Sequence, residues 1–465
     1  AESKERLKEL WPPPTPREEI TETLHGETIV DPYRWLEDDA DPRVQEWTAA
    51  QNAYCRAVLA AYTPREQLRE ELARLLAADR VGWAEIQGGY CFFTYRRREQ
   101  AQPALYVTEV PAADIQQAPG GLDAARLLVD PNIYSQTGTV ALDWWYPSPD
   151  GRFVAFGLSR DGDEWSTLYV VEVATGKLLE DKIPRTRYAS VAWEPDGSGF
   201  YYTRYPDPGT VPPGEENYHR RVLYHRLGSD PAADPVIFGT GRPKREMYRV
   251  RLSDDGRYLL LMVQHGWRRT DIYLQDREAA GQPTGADPVG FQPLVVGKDA
   301  LFDGHFANGL LLLLTNYQAP RYRVLAVDLH HPAEENWHEL IPENHEVILN
   351  NLAVVNGRLL LSGLRDAASR LYIFTLEGVE LGEVELPGLG TISALSGQPG
   401  DRTALVRYES FTEPPTLYAL DMETGQLTPW LCSADVPQLS EVTVRQVFYT
   451  SRDGTRVPIF LVSRG

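Results

Sequence analysis

A loose internal repeat most constrains what this chain can become. Seven times, a short turn carrying glycine precedes a β-rich run, a polar turn and a second β-rich run. The copies begin at Gly88-Gly89, Ser148-Pro149-Asp150-Gly151, Glu194-Pro195-Asp196-Gly197, Ser253-Asp254-Asp255-Gly256, Asn308-Gly309, Asn356-Gly357 and Pro399-Gly400. The runs behind them, such as 153–158 with 168–173 and 258–263 with 271–274, have the length and the β-branched and aromatic content of strands. A period of roughly 40–60 residues built from antiparallel hairpins predicts an all-β dominated fold, a seven-bladed β-propeller with one four-stranded blade per repeat. Such a ring is a frame or a filter, so the chemistry has to be sought in particular residues.

The 465 residues exceed what one compact core normally holds. A ring of blades escapes that limit, because each blade buries its faces against its neighbours. The formal charge of −20 argues against nucleic acid and anionic membrane as partners, since both would be repelled. No run of about 18 apolar residues exists to span a membrane. The start, AESKERLKELWPPP, lacks the apolar core of a signal peptide. The expected location is therefore cytoplasmic, or periplasmic if a leader has been removed, because residue 1 is Ala. Cys55, Cys91 and Cys432 lie far apart with no CxxC pair, which points to a reducing compartment and to structural burial of each. His330, His331 and His338, with Glu334 and Glu335 between them, sit in a polar loop with no helical face. No metal and no cofactor are expected there.

Residues 1–79 have a different texture and are expected to be helical. Asp41-Pro42 reads as a helix cap and first position, with Val44, Trp47, Gln51, Tyr54 and Val58 on one face. Thr63 is expected to cap a second helix with Glu66 reaching back, and Leu68, Leu72, Leu75 and Leu76 to form its buried stripe. The propeller is expected over 80–436, with 111–142 as a long connection decorating a rim and 207–217 as a surface loop. After Pro437 the repeat stops, and 437–465 reads as a hairpin turning at Ser451-Arg452-Asp453-Gly454. An isolated hairpin is marginally stable in water, so these strands are expected to open something larger.

Five segments now form a recognisable series. They are Asp31-Pro32-Tyr33-Arg34-Trp35-Leu36-Glu37-Asp38, then Asp130-Pro131-Asn132-Ile133 leading to Gly138-Thr139-Val140-Ala141-Leu142, then 192–197, 252–258 and the 451–460 hairpin. In this order and spacing the chain resembles the prolyl oligopeptidase family of serine peptidases over its whole length. The resemblance implies a serine endopeptidase that cleaves after proline in short peptides, its active site capped and gated by the propeller. It also implies that 1–79 pack with an α/β-hydrolase domain whose opening hairpin is 437–465. That domain and short proline-containing peptides are the implied partners. The nucleophile of such a domain needs a Gly-x-Ser-x-Gly elbow, and none occurs here. Ser159 and Ser198 come nearest, both in propeller hairpins. No catalytic residue is therefore expected in this chain, which alone should be inactive.

By the same resemblance, Tyr188 and Met247 match residues that wall an apolar substrate subsite. Trp267 stands where some relatives have a reactive cysteine, which implies insensitivity to thiol reagents at that point. Glu164 matches an acidic residue, more usually Asp, that pairs with an arginine of the hydrolase domain. Gln264 stands where relatives carry Arg, and with Glu164 it belongs to the implied interdomain gate. On residue type alone, blade packing explains Tyr188, Met247 and Trp267, and a solvated carboxylate explains Glu164. Opening is expected on hinges near 79–80 and 433–437. Two other readings stay open. One is a stand-alone interaction scaffold without catalysis. The other is a propeller hydrolase with a central metal, against which the apolar runs Leu311–Leu314 and Leu359–Leu361, taken as inner strands, count.

Overall fold

The computed structural model describes residues 11–109, 122–280, 290–433, 439 and 441–464. The chain divides into two compact units, residues 1–77 and 78–465.

In the first unit, a hairpin (Ile20–Leu24 with Glu27–Asp31) and a single 3-10 turn (Arg34–Glu37) precede two helices, α1 (Pro42–Ala60) and α2 (Arg65–Leu76). The segment is thus not wholly helical. Asp41 caps α1 as its sequence demands, its carboxylate accepting from the Arg43 backbone N–H at 2.8 Å, with Pro42 in the turn that needs no N–H. The proline-rich lead is tied to this helix: Trp47 donates to the Thr15 hydroxyl (2.9 Å) and Gln51 to the Pro13 carbonyl (3.2 Å). The expected cap of α2 fails. Pro64 occupies that position with no side-chain hydrogen bond, and Glu66 is taken by Arg69 one turn on. Leu68, Leu72, Leu75 and Leu76 are also exposed rather than buried. Their spacing records an apolar face, but spacing does not say what covers it.

The second unit holds seven four-stranded antiparallel sheets, spanning 80–129, 140–183, 191–238, 247–295, 302–341, 348–383 and 390–432, here blades 1 to 7. In every blade the four strands pair in chain order. The seven repeats are confirmed, each one strand out of phase with its blade: the glycine turn joins the first strand to the second. The 111–142 connection is corrected. Residues 110–121 lie outside the described residues, but Arg126–Val129 is the fourth strand of blade 1 and Val140–Pro147 the first of blade 2. The 207–217 segment is a loop carrying no strand.

Second strands explain the apolar runs. In Tyr258–His265, Leu259, Leu261 and Val263 pack toward blade 3, while Leu260 and Met262 pack toward blade 5. A strand sandwiched between two blades is covered on both faces, so alternation disappears. Leu311–Leu314 and Leu359–Leu361 lie in such second strands, which corrects their reading as inner strands. The innermost, first strands are more polar. Asp303 on blade 5 receives Arg249 (3.3 Å) and Arg251 (3.4 Å) from blade 4 and His305 (3.0 Å) from its own strand. An axial channel of about 810 Å³ is lined from all seven blades, Glu85, Arg251 and His305 included. Burial pushes the Glu85 carboxyl up to about 7.

Of the cysteines, all unpaired, only Cys91 is buried; Cys55 and Cys432 are exposed, against expectation. Each is a small residue on an element with an open face, which sequence does not show. The terminal hairpin (Val442–Thr450 with Arg456–Arg464) pairs along its whole length, and it touches the propeller where Gln446 donates to the Asp366 carbonyl and Phe460 meets Phe411 at 5.8 Å. The junction at 434–438, with most of the second expected hinge, lies outside the described residues. No described helix is long and apolar enough to cross a membrane.

Candidate functional site

Strands alternate in direction within a blade. The start of the first strand, the hairpin between second and third, and the exit of the fourth therefore share one end. Glu164 and Trp165 lie in the second hairpin of blade 2, Arg185–Tyr188 in the exit toward blade 3, and Tyr205 to Arg220 in the second hairpin of blade 3. Met247 begins blade 4, and Trp267 tips its second hairpin. All the expected site residues thus fall at one end of blades 2 to 4, opposite the glycine turns that disclosed the repeat.

Three of them converge. The Glu164 carboxylate accepts from Arg187 at 2.6 Å and from the Tyr188 hydroxyl. Those two donors hold its carboxyl below the usual range, the tyrosine foremost. Arg187 lies over both Tyr188 (4.9 Å) and Trp165 (5.3 Å), and Arg185 stacks on Trp165 at 3.8 Å. Trp165 meets Tyr205 edge-on at 5.5 Å, and the Tyr205 hydroxyl points at the Met247 sulfur, 3.6 Å away. Arg220, beneath them, donates to the Tyr188 carbonyl and sits 3.7 Å from the same sulfur. Tyr188 and Met247 are thereby joined through Arg220.

Gln264 and Trp267 stand beside this group. Gln264 faces Met247 across the strand pair and donates to the Gly266 carbonyl at 3.1 Å. Trp267 projects from the turn 91 % exposed. Under that hairpin His265 (2.9 Å) and Arg269 (2.7 Å) close on the buried Asp271.

The backbone of this rim is strained. Glu164, Arg185, Tyr188 and His219 all hold positive φ, between +49° and +67°. Non-glycine residues keep such conformations only where their surroundings impose them, and such residues gather at functional sites.

Sequence reasoning missed Trp165, Arg185, Arg187, Tyr205 and Arg220. The signal was the basic and aromatic run Arg185-Thr186-Arg187-Tyr188, unusual in a chain of charge −20. The rim offers cation-backed aromatic faces and hydrogen-bond donors, and so suits an extended chain of carbonyls and rings. Among its described residues no serine is hydrogen-bonded to an imidazole. Buried Ser159 donates to Asp143 at 2.9 Å, with no imidazole in that pair to take a proton, and Ser198 is an exposed turn residue. No group of three or more metal-ligating side chains occurs among the described residues. His331 instead pairs with Asp328 and Glu334 with Lys298.

A family model for the prolyl oligopeptidase N-terminal beta-propeller domain matches residues 13–432. Among curated relatives, the prolyl endopeptidase of Elizabethkingia meningoseptica is 25 % identical over 97 % of this chain and 61 % of its own length. Prolyl oligopeptidase A of Galerina marginata is 27 % identical over 94 % of this chain and 62 % of its own. Among solved structures, one from a study of two prolyl endopeptidases and the role of their inter-domain dynamics in catalysis and specificity superposes with a TM-score of 0.86 at 35 % identity. It is covered over 64 % of its chain, and this chain over 97 %. Prolyl oligopeptidase B of Galerina marginata, bound to a 35mer hydrolysis and macrocyclization substrate, shares the fold with a TM-score of 0.84 at 23 % identity, over 97 % of this chain and 65 % of its own. The chain spans somewhat over three fifths of the length of the relatives it matches.

Proposed function

The chain belongs to the prolyl oligopeptidase family, and from that premise we propose that it is the propeller-bearing portion of a serine endopeptidase that hydrolyses short peptides after proline. What carries the reading is the family match over 13–432 together with relatives named as prolyl endopeptidases. Bond cleavage is assigned to an α/β-hydrolase domain that the 437–465 hairpin opens. There a serine, activated by histidine, would attack the carbonyl beside an oxyanion hole. This chain's part is to bind and to admit. Tyr188, Met247 and Trp267 wall the stretch of peptide upstream of the cleaved bond. Glu164 and Gln264 stand where the hydrolase domain would meet the rim, so that exchange of Arg187 for an arginine of that domain on Glu164 accompanies closure. Access is by domain opening on hinges near 79–80 and 433–437, in a cytoplasmic protein.

The test compares this 465-residue chain with a polypeptide that continues through a Gly-x-Ser-x-Gly segment. We expect no hydrolysis of a proline-linked chromogenic peptide by the first and hydrolysis blocked by a serine-directed inhibitor in the second. Crosslinking the two hinges should then abolish turnover. Inhibitor-sensitive activity in the 465-residue chain, or a preference for Lys or Arg over Pro in the longer one, would refute the proposal.

A further inference from the structure

Arg220 is 4 % exposed and has no carboxylate within ion-pair distance among the described residues. One guanidinium nitrogen donates to the Tyr188 carbonyl and to the Thr203 hydroxyl (2.8 Å), and another has only the Met247 thioether at 3.7 Å. Its Nε has no partner at all. A buried cation is costly unless an anion faces it, and a thioether is a weak acceptor. Burial accordingly pulls the Arg220 pKa down, with only the tyrosines 205, 146 and 248 opposing.

Beside this guanidinium lies a cavity of about 180 Å³ walled by Tyr205, Tyr218, Arg220, Lys244, Arg245 and Met247. Its one acid, Glu246, is already consumed, bound by Arg242 (2.6 and 2.9 Å) and by the Tyr248 hydroxyl (2.8 Å). Glu215, nearby, is held by Lys244 and by His219 (2.6 Å). Arg245 lies over the Tyr218 ring at 5.7 Å and adds a further cation. Lys244 is paired with Glu215, whereas Arg220, over the Tyr205 ring at 5.5 Å, and Arg245 have no carboxylate partner among the described residues, so the pocket keeps positive charge in a chain whose formal charge is −20.

We propose that this pocket is a carboxylate site, in which the acidic side chain or the C-terminal carboxylate of a bound peptide displaces the Met247 thioether and pairs with Arg220. The inference rests on the peptide-binding reading above and names what that rim selects. Planar carboxylate oxygens match the guanidinium fork, and the phenol rings leave room for little beyond the group and its first carbons. Methionine suits a movable cover, with three rotatable bonds and a soft sulfur. Because Arg220 also holds the Tyr188 carbonyl, occupation of the pocket fixes the Tyr188 wall of the same rim.

The test is binding to the 465-residue chain, followed by tryptophan fluorescence. The peptides share one proline-containing sequence and end in Glu, in Gln, or in Gln with an amidated C-terminus. The Glu-ending peptide should bind about tenfold or more tighter than the amidated Gln peptide, a preference that salt weakens. An equal gain for the Gln acid identifies the C-terminal carboxylate as the source, and a gain for the Glu peptide alone identifies the side chain. In Arg220→Met, which removes a charge without its counter-ion, the preference should vanish while the melting temperature holds or rises. Arg245→Gln, an exposed change that leaves the fold alone, should reduce the preference severalfold, and Met247→Ala should increase it. Equal binding of all three peptides to the unaltered chain, or a preference that survives in Arg220→Met, overturns the carboxylate site and leaves peptide binding standing. If no peptide binds while succinate raises the melting temperature of the unaltered chain but not of Arg220→Met, the anion site stands and the peptide reading falls.

Discussion

Two aspartates close on the ring of His225 from different blades. Asp181, in the outer strand of blade 2, takes Nε2 at 2.8 Å, and Asp234, beyond the third strand of blade 3, takes Nδ1 at 2.9 Å. Both nitrogens face acceptors, which demands the imidazolium. Burial alone would lower the His225 pKa, but the bonds to Asp181 and Asp234 outweigh it and hold it up at about 9. A raised pKa contributes stability in full below the ordinary histidine value of about 6.5, lost as pH climbs through about 9. The Asp181 carboxyl is displaced the other way, its hydrogen bonds overcoming burial, so its contribution is lost as pH falls below the normal aspartate range. Removing the ring strands two buried carboxylates. His225→Leu should therefore lose about 3–5 kcal/mol in urea unfolding. Between pH 7 and 10 the melting temperature of the unaltered chain should fall more steeply than that of the variant; parallel slopes would mean that the ring is neutral. None of this was legible beforehand. His225 reads as one more strand residue, and its partners lie 44 and 9 positions away.

The turns between first and second strands are where sequence spoke most clearly, and geometry shows why. At Ser148-Pro149-Asp150-Gly151 the serine hydroxyl bonds the aspartate (2.6 Å), the aspartate takes the Arg152 N–H (3.0 Å), and Gly151 adopts φ +71°. The same bonds recur at Ser253-Asp254-Asp255-Gly256. Local chemistry that is repeated leaves a repeated signature. The rim at the other end of the blades is built from contacts between separate loops, so Arg187 on Glu164 or Arg220 under Met247 has no fixed spacing to betray it. For the same reason the α2 stripe was visible and its exposure was not. These turns also pack on one another between blades. A Cβ on Gly88 would lie 2.3 Å from the Gly151 nitrogen, whereas on Gly89 it would meet open space, both residues having positive φ. Gly89→Ala should therefore cost about 1 kcal/mol, for backbone conformation alone, and Gly88→Ala at least about 2 kcal/mol more, as backbone of blade 2 is forced aside. Equal losses in denaturant titrations would show that the two turns can separate freely.

Each blade is a contiguous stretch of chain, and among the described residues no strand from one end of the sequence completes a blade at the other. The ring between blades 7 and 1 is consequently closed by side chains. Ile86, Phe93 and Tyr106 pack with Leu405, Leu417 and Trp430, and Phe93 meets Trp430 edge-on at 5.8 Å. Three hydrogen bonds reinforce the seam: Val81 N–H to the Ser433 hydroxyl (3.2 Å), that hydroxyl to the Pro415 carbonyl (2.8 Å), and Gln398 to the Ile86 carbonyl (3.2 Å). The other six junctions have apolar clusters of the same kind, but each is also crossed by the covalent chain. Breaking the seam therefore frees two ends, while breaking any other junction leaves its blades tethered. Truncation of a buried tryptophan costs about 3–5 kcal/mol, as lost transfer energy and a cavity. For Trp430→Ala that loss should appear first as faster amide exchange in blades 1 and 7, with blade 4 still exchanging only through global unfolding. Leu311→Ala, at the junction of blades 4 and 5, should cost about 2–5 kcal/mol yet leave exchange in blades 1 and 7 close to its original rate. If both variants accelerate all blades alike, the ring opens as one cooperative body and the seam has no separate existence.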